Sequence, residues 1–228
     1  MGWSDTGCRY SLGREADLAW KRISDAVIRR LPLYLRVLED VKEKQASISS
    51  QELGARASVR PALVRKDLAW FGEFGKQGVG YDVEFLQDEL RKILHLDAPI
   101  HMALVGVGSL GHALARYNRR RFMEDPIFTI KLVALFDVNP NLVGTTIDDI
   151  PVFHLDDIAS VVPEMEIEMA IITVPAEAAQ AVGTALTDAG ARGILNFAPV
   201  NLDVPGNIHV ANADLSLELQ RLAYYIGD

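Results

Sequence analysis

Apolar residues follow a helical repeat over much of the first 95 residues and form short continuous runs over the rest. The first repeat predicts a helix from about Ser24 to Lys44, with a kink or a late start at Pro32, because proline disrupts a helix interior. Its apolar positions are Ile28, Leu31, Leu35 and Leu38. Residues 1–22 show little periodicity, and we expect them to be a mobile extension.

Two shorter helices and a glycine-rich stretch follow. Ser49 and Glu52 have the spacing of a capping box, in which side chains satisfy backbone N–H groups at a helix start. Pro61 suits the first turn of the next helix, where its missing N–H is not needed. The four glycines of FGEFGKQGVG end that helix and permit a tight β-ribbon. The predicted elements are helices over 49–57, 61–71 and 82–94 and a ribbon over 72–80.

The period changes after Leu96-Asp97-Ala98-Pro99, which breaks helicity and is interpreted as a linker. Apolar runs then alternate with helical stretches, which is typical of βαβ units and a parallel sheet. The predicted strands are Ile100–Val105, Ile130–Phe136, Met169–Val174 and Gly193–Phe197.

Charge separates the two parts of the chain in the same way. The 228 residues carry a formal net charge of −8. Residues 1–95 hold 16 basic and 14 acidic side chains, whereas residues 96–228 hold 7 and 17. Residues 28–80 alone hold 10 basic and 6 acidic side chains. A basic module on an acidic body is compatible with DNA binding, although ordinary solvated charge also produces such a difference.

Several classes of protein are disfavoured by composition. No run approaches the ~20 apolar residues of a membrane span, so no membrane partner is expected. The N-terminus lacks the basic-then-apolar pattern of a secretory signal, which makes the cytoplasm the expected location. The single cysteine, Cys8, has no partner for a disulfide within one chain, and no CxxC motif predicts a metal site.

The strongest single motif is Gly106-Val107-Gly108-Ser109-Leu110-Gly111. It follows the strand sequence HMALV and opens the helix sequence LGHALARY, a context that favours a dinucleotide-binding loop over a plain glycine turn. Gly106 permits the tight turn, Gly108 leaves room for a pyrophosphate, and Gly111 lets the helix pack close to the strand. The helix N-terminus would then offer N–H groups to the anion.

An acidic residue, Asp137, ends the second strand. A carboxylate there accepts hydrogen bonds from the adenine ribose and repels a 2′-phosphate, which favours NAD(H) over NADP(H), although a solvated aspartate is the alternative. Asp137 lies 26 residues after Gly111, and we assign the excess over the usual spacing of about 20 to a loop over 118–129. The run Arg119-Arg120-Arg121 in that loop is interpreted as a solvated charge cluster.

The ends of the last two predicted strands are candidate walls of a nicotinamide pocket, because ligands of such sheets lie outside the carboxyl ends of the strands. Plain loop chemistry is the alternative. None of the five histidines has a pattern that assigns it to proton transfer, so a binding protein is favoured over an enzyme. The candidate wall residues are Thr173, Val174, Pro175, Asn196, Phe197, Ala198 and Pro199.

Three helices followed by a glycine-rich ribbon are typical of a winged helix-turn-helix. The helix over 61–71 would enter the major groove, where arginine and lysine bind guanine edges and phosphates. For each basic residue alone a solvated surface is the simpler interpretation, and only their arrangement favours DNA contact. The candidate DNA-binding residues are Ser49, Ser50, Arg60, Arg65, Lys66, Lys76, Gln77 and Gly78.

The sequence from about Ile23 to Tyr225 resembles the Rex family of redox-sensing repressors. Similar segments, in the family's order, include VRKDLAWFGEFGKQGVGY, GVGSLGHAL, GILNFAPVNLDVP and NADLSLELQRLAYYI. The resemblance implies an α/β homodimer with an N-terminal winged helix-turn-helix over 23–95 and a Rossmann-type parallel-sheet domain for NAD(H) over 96–211. It also implies a C-terminal helix, within 212–228, that swaps between subunits.

The function that the resemblance implies is repression at inverted-repeat operators resembling TTGTGAA-N6-TTCACAA, with release from double-stranded DNA by NADH. The implied coupling residues are Arg36, Tyr117 and Asp214, with Asp214 of one chain contacting either Tyr117 or Arg36 of the other. Two other functions stay open: an NAD-dependent oxidoreductase with a helical appendage, and a winged-helix regulator that binds another nucleotide such as a coenzyme A derivative.

The chain departs from the family pattern at Ser109, at Pro61 and Leu63 near the start of the recognition helix, and at Gln77, where relatives carry a basic wing residue. Loss of a wing charge predicts a shallower salt dependence of DNA binding, by roughly one unit of slope per lost phosphate contact.

Overall fold

The computed structural model describes residues 23–76, 78–125 and 128–226. The chain divides into two compact units on either side of the His95–Leu96 junction. The expected extension over 1–22, with Cys8, and the wing residue Gln77 lie outside the described residues. Within the described ranges, no helix has the length and apolar character needed to cross a membrane.

The first unit is a winged helix-turn-helix, as predicted. Its three described strands form an antiparallel sheet with β3 in the centre, between β1 and β2. The helices are α1 (Asp25–Ile28), α2 (Leu31–Val41), α3 (Ser50–Ala57), α4 (Pro61–Leu68) and α5 (Val83–Ile93), and the strands are β1 (Ser47–Ile48), β2 (Gly75–Lys76) and β3 (Gly80–Asp82).

The long helix predicted over 24–44 is in fact two helices, α1 and α2. Pro32 lies in the first turn of α2, which confirms the late start as the right alternative. At the start of α3 the Ser49 hydroxyl accepts a hydrogen bond from the Glu52 backbone N–H at 3.0 Å. The Glu52 carboxylate accepts from the Gln45 and Arg56 side chains rather than completing the capping box. The predicted helix over 61–71 ends earlier, at Leu68.

Apolar side chains from the helices meet in one core in the first unit. Helix α2 packs against α3 and α5, and α3 packs against α4. Helix α4 turns Val64 and Leu68 inward, which leaves Arg65 and Lys66 on its exposed side. The fully buried side chains include Leu31, Tyr34, Leu38, Leu53, Val64, Leu86 and Leu90.

The second unit is built on a seven-stranded sheet in the order β10-β9-β8-β4-β5-β7-β6. All neighbouring strands are parallel except the β6–β7 pair. The strands are β4 (Ile100–Val105), β5 (Ile130–Asp137), β6 (Thr146–Ile147), β7 (Ile150–His154), β8 (Ile167–Ile172), β9 (Gly193–Asn196) and β10 (His209–Asn212). The helices are α6 (Ser109–Glu124), α7 (Ile158–Glu164), α8 (Ala176–Asp188) and α9 (Leu215–Tyr224), with a 3-10 turn at Leu155–Asp157.

Both faces of this sheet are buried, as expected for parallel strands covered by helices. In β4, Ala103 and Val105 pack in a cluster with side chains of α7 and α8. Met102 and Leu104, on the alternate positions, pack in a second cluster that includes Ala115 of α6. The sheet is therefore the middle of three layers, which confirms the Rossmann-type prediction.

The strand order reverses between β4 and β8. The chain runs from β4 outward to β5 and β7, and then returns to β8 on the other side of β4. Such a reversal opens a crevice at the carboxyl ends of the two central strands, where ligands of this fold class bind.

One predicted loop in the second unit is wrong. Residues 118–124 of the expected loop over 118–129 belong to α6. The Asn118 side chain bonds this part of the helix to β5. Its amide donates to the Ile130 carbonyl oxygen at 3.3 Å, and its Oδ1 accepts from the Leu132 N–H at 3.1 Å. The three arginines after Asn118 form ion pairs: Arg119 with Asp149, Arg120 with Glu124 and Arg121 with Asp125.

Candidate cofactor site and DNA-binding surface

The glycine loop joins β4 to α6 at the point where the strand order reverses. Gly106 has a φ of +95°, and a Cβ there would lie 2.8 Å from the Thr173 carbonyl oxygen. A Cβ on Gly111 would collide with the Gly106 carbonyl oxygen, so only glycine lets α6 pack this closely. A Cβ on Gly108 would meet no atom within 4 Å. The loop is therefore tight at two glycines and open at the third.

Helix α6 begins beside the open space at Gly108, which is its N-cap residue. Ser109 and Leu110 in its first turn are exposed, whereas Val107 is buried. The first N–H groups of a helix have no intrahelical partner and carry the positive end of the helix dipole. The loop thus offers backbone donors and space together, which is what a pyrophosphate needs.

The Asp137 carboxylate, at the end of β5, is bonded to the glycine loop. Its Oδ2 accepts from the Val107 N–H at 2.6 Å and its Oδ1 accepts from the Asn139 N–H at 2.8 Å. Each carboxylate oxygen can accept a second hydrogen bond, so the half-buried carboxylate keeps capacity for a ribose hydroxyl. Asp137 can therefore hold the loop and contact a ribose at the same time.

Thr173, directly after β8, connects the opposite wall to the glycine loop. Its hydroxyl lies 2.7 Å from the Gly106 carbonyl oxygen and 3.1 Å from that of Val105, and donates to them. Val174 is half-buried and Pro175 is exposed. The structure therefore brings the ends of β4 and β8 together around the glycine loop.

The loop that follows β9 is held by two side-chain amides. Asn196 is fully buried; its Nδ2 donates to the Val200 carbonyl oxygen at 2.7 Å and its Oδ1 accepts from the Ala198 N–H at 3.0 Å. Gln180 of α8 exchanges two hydrogen bonds with the backbone of Asp203, each 2.9 Å long. Asn196 is thus placed to shape the wall rather than to touch a ligand. Of the other wall residues, Phe197 is half-buried, Ala198 is buried and Pro199 is exposed.

The exposed side of α4 presents a cluster of cations in the first unit. Arg60, the N-cap residue, and Arg65 and Lys66 are all exposed. In the described part of the chain, none of the three forms an ion pair with a carboxylate. Arg65 donates to the Ser50 hydroxyl at 2.8 Å, which links α4 to the start of α3. These positive charges are available to phosphates or base edges.

A groove of about 820 Å³ separates the C-terminal half of α4 from the ribbon. Tyr81 of β3 lines it, and burial raises the pKa of its hydroxyl although the nearby Arg65 cation acts in the opposite direction. The backbone of Lys76 is in β2 and Gly78 follows in the turn, with a φ of +83°. The other lining residues include Ser49, Ser50, Leu68, Ala69, Phe74 and Val79.

The three coupling residues implied by the resemblance have different surroundings. Arg36 is exposed on α2, and Tyr117 on α6 is 62% exposed. Asp214 is the N-cap residue of α9 and accepts from the Ser216 N–H at 2.8 Å. Hydrogen bonds from Ser216 hold the pKa of the Asp214 carboxyl below its ordinary value. Asp214 is therefore ionised at neutral pH and available as an acceptor.

Sequence reasoning missed Asp67, although a signal was present. Asp67 lies between Val64 and Leu68 on the inward side of α4, so it is a charged residue in an apolar helical stripe. Its carboxylate is paired with Arg30 and Tyr34. The hydrogen bonds of Gln180 could not be predicted in the same way, because an exposed glutamine is common in helices and does not interrupt an apolar pattern.

Comparison with known sequences matches each unit separately to a family model. A model described as the N-terminus of putative DNA-binding proteins matches residues 22–69, and one described as a CoA-binding domain matches residues 97–200. The fold and these matches define a winged-helix protein with a nucleotide-binding domain.

The relatives identify the family. The redox-sensing transcriptional repressor Rex of Brevibacillus brevis is 44% identical over 207 residues, which cover 90% of this chain and 98% of that protein. The repressor of the same name from Chloroflexus aurantiacus is 46% identical over 204 residues, 89% of this chain and 94% of that protein. The chain belongs to the Rex family of redox-sensing transcriptional repressors.

Solved structures of a Rex-family repressor, RSP, are similar over most of their length. RSP in complex with β-NAD⁺ and operator DNA matches with a TM-score of 0.81 and 37% identity, covering 90% of this chain and 92% of that one. RSP in complex with β-NADH matches with a TM-score of 0.77 and 35% identity, covering 90% of this chain and 94% of that one.

Proposed function

We propose that this chain is a transcriptional repressor that binds operator DNA through its first unit, binds NAD(H) through its second, and leaves DNA when NADH is bound. The observation that carries the proposal is the similarity of 90% of this chain to RSP, which has been solved with β-NAD⁺ and operator DNA in one complex and with β-NADH in another. The segments that we assign are 23–95 for DNA, 96–211 for the cofactor and 212–228 for a swapped helix.

In the cofactor site, Gly108 and the first turn of α6 would hold the pyrophosphate, and Asp137 would accept from the adenine ribose. Phe197 and Pro199 would face the nicotinamide, with Asn196 keeping their loop in shape. When bound, the nicotinamide supplies the redox-sensitive group, and the chain's own residues only orient it. We infer that the protein is a cytoplasmic regulator and not an enzyme, in keeping with the repressor function named for its relatives.

On the DNA side, Arg65 and Lys66 would contact base edges or phosphates in the major groove, and Ser49, Ser50 and Arg60 would contact the backbone. The ribbon, with Lys76, Gln77 and Gly78, would follow the adjacent groove or phosphates. Three exposed cations, one at the N-cap of α4 and two within it, support this assignment.

A homodimer is supported by the exposed apolar surface of α9. None of its residues is buried in the single chain, and Leu215 and Leu219, four positions apart, are 66% and 67% exposed. Surface of this kind is normally covered by a partner. In the dimer, Asp214 of one chain would contact Tyr117 or Arg36 of the other, and the two arrangements would be favoured differently by NAD⁺ and NADH.

The test is fluorescence anisotropy of a labelled TTGTGAA-N6-TTCACAA duplex with the full chain and no cofactor, NAD⁺, NADH or acetyl-coenzyme A. We expect tight binding that NADH abolishes at concentrations where NAD⁺ does not. Release by acetyl-coenzyme A instead would favour the coenzyme A regulator that the family-model description suggests. Absence of operator binding in every condition would contradict the proposal.

A further inference from the structure

A largely buried polar cluster, which we call the clasp, holds α4 on the side that faces the core of the first unit. It consists of Arg30, Tyr34 and Asp67. The Arg30 guanidinium donates through Nε to Asp67 Oδ2 at 2.6 Å and through Nη2 to Oδ1 at 2.8 Å. The Tyr34 hydroxyl donates to Oδ2 at 2.7 Å. Asp67 is 1% exposed and Tyr34 is fully buried, whereas 21% of the Arg30 side chain is exposed. The carboxylate and the tyrosine hydroxyl are therefore shielded from water, and the guanidinium is only partly so.

Stability alone does not account for the clasp. Removing an ionised carboxylate from water costs several kcal/mol, and replacing a buried ion pair with apolar residues of similar volume is often neutral or stabilising. The clasp instead fixes the relative orientation of its side chains, because a guanidinium and a carboxylate joined by two parallel hydrogen bonds have one favoured geometry. Burial, and then the bond to Asp67, raise the pKa of Tyr34, so its hydroxyl keeps the proton that it donates.

The orientation of Asp67 affects the DNA-binding candidates because Asp67 lies next to them on α4. Arg65 and Lys66 immediately precede it, and at 3.6 residues per turn each step rotates the side-chain direction by about 100°. Any rotation of α4 that moves Asp67 therefore moves Arg65 and Lys66 equally. A rotation of about 20° displaces atoms about 6 Å from the helix axis by roughly 2 Å, which exceeds the tolerance of a hydrogen bond.

The apolar contacts of α4 do not set this rotation as tightly. The helix is two turns long, and Val64 and Leu68 anchor its inward side. Hydrophobic burial is non-directional, so these contacts hold the helix against the core but resist a small rotation weakly. The clasp is the directional contact on the inward side of the helix.

We propose that Arg30 and Tyr34 are positioning residues which, through Asp67, set the rotation of α4 and so determine discrimination between operator and other DNA. This inference rests on the proposed DNA-binding function. Non-specific attraction depends on charge and tolerates small displacements, whereas base contacts require exact placement of the donors. The clasp therefore controls the ratio of specific to non-specific affinity rather than the attraction itself.

The test compares the affinity of the full chain for the operator duplex and for a scrambled duplex of equal length and composition, at one salt concentration. Asp67→Asn keeps the size of the side chain but removes the carboxylate from both partners. We expect operator affinity to fall at least tenfold, with scrambled-duplex affinity unchanged or slightly raised because a negative charge is lost. Tyr34→Phe, which removes only the hydroxyl, should lower the ratio by about threefold.

Asp40→Asn is the matched control, because it makes the same chemical change at an exposed position of α2. Its affinity ratio should equal that of the unaltered protein. A merely structural role would lower both affinities together, in proportion to the folded fraction measured by circular dichroism. If Asp67→Asn folds and keeps the same ratio of operator to scrambled-duplex affinity, the inference about the clasp is wrong, but the proposed function is not affected. If Asp67→Asn does not fold, an unchanged ratio in Tyr34→Phe has the same meaning. If the unaltered protein does not prefer the operator duplex, the proposed function is wrong, and the inference that rests on it fails too.

Discussion

The two proposed ligand surfaces of this molecule differ in composition, because one is formed mainly by backbone atoms and the other by side chains. The proposed cofactor site is built largely from backbone: a glycine loop, the first turn of α6 and loop carbonyl groups that Thr173 and Asn196 hold in place. The proposed DNA surface is built from side chains, those of Arg60 at the N-cap of α4 and of Arg65 and Lys66 within it.

This difference determines how each surface tolerates change. A site made from backbone requires the absence of side chains, so one methyl group at the wrong position damages it. A surface made from flexible cations tolerates substitution more gradually, because each contact contributes separately and charge acts over a distance. The two surfaces should therefore respond differently to small substitutions.

The largest effect is expected from Gly111→Ala. An alanine in a helix is usually stabilising, but this Cβ collides with a backbone oxygen, so the free energy of unfolding should fall by about 3 kcal/mol. NADH affinity should fall by at least roughly 100-fold. Thermal unfolding and NADH titration measure the two effects.

Gly108→Ala is the matched variant for this test. Its Cβ meets no protein atom, so thermal unfolding should be unchanged while NADH affinity falls, because the methyl group occupies the space assigned to pyrophosphate. If Gly108→Ala binds NADH as tightly as the unaltered protein, the pyrophosphate does not lie beside this glycine. If Gly111→Ala is as stable as the unaltered protein, the backbone of the loop is less constrained than this comparison requires.

Arg65→Ala should have the next largest effect, this time on the DNA surface alone. Loss of one bidentate base contact lowers operator affinity by about 1–3 kcal/mol, or roughly 5- to 150-fold. NADH affinity without DNA should not change. Arg65→Lys keeps the charge but loses the planar fork, so it should retain the salt dependence while losing discrimination. Equal operator affinity in Arg65→Ala and the unaltered protein would place base recognition elsewhere on the surface.

Much of the fold could be predicted because each unit has a local signal. The helical repeat, the capping serine at position 49 and the glycines of the ribbon identified the winged helix-turn-helix, and the alternation of apolar runs with helical stretches identified the sheet. Strands β6 and β10 are short and largely exposed, so they left little apolar pattern. Strand β7 was missed although Ile150 and Val152 are buried, and its Pro151 is atypical of a strand interior. The continuation of α6 was missed because Asn118 is buried by hydrogen bonds to β5, which exist only in the folded unit.

The candidate sites were predictable to a different extent. The glycines were assigned from their spacing and from the strand and helix that flank them, and the steric constraint on Gly111 is local in sequence. The clasp, and the bonds of Asn196 and Asp137 to neighbouring loops, join residues far apart in the chain or depend on loop geometry. Single-sequence patterns contain no information on such pairs.

Asp137→Asn tests the one side chain on which the cofactor site depends for selectivity. The amide keeps the shape of the carboxylate but not the negative charge that repels a 2′-phosphate. Its NH2 group also cannot accept from one of the Val107 and Asn139 N–H groups, a loss that affects both cofactors alike. We expect the preference for NADH over NADPH to fall roughly tenfold, measured by competitive titration. Asp97→Asn makes the same change on the amino side of β4 and should leave the preference unchanged. Equal preference in the two variants would mean that backbone alone selects the cofactor.

The smallest effect is expected from Tyr117→Phe, which tests how the two surfaces are connected. The Tyr117 side chain is exposed in the single chain, so removing its hydroxyl should leave folding unchanged. If the hydroxyl donates to Asp214 of the other chain when NADH is bound, the NADH concentration needed to release operator DNA should rise by about fivefold.

A double-mutant cycle with Asp214→Ala makes this test specific. Two residues that act through one hydrogen bond give non-additive effects, so adding Tyr117→Phe to Asp214→Ala should produce little further change in NADH-dependent release. Since hydrogen bonds from Ser216 keep the pKa of Asp214 low, the effect should not vary with pH around neutrality. Additive effects would mean that the two residues act independently, and that the backbone-built site communicates with the side-chain-built surface by another route.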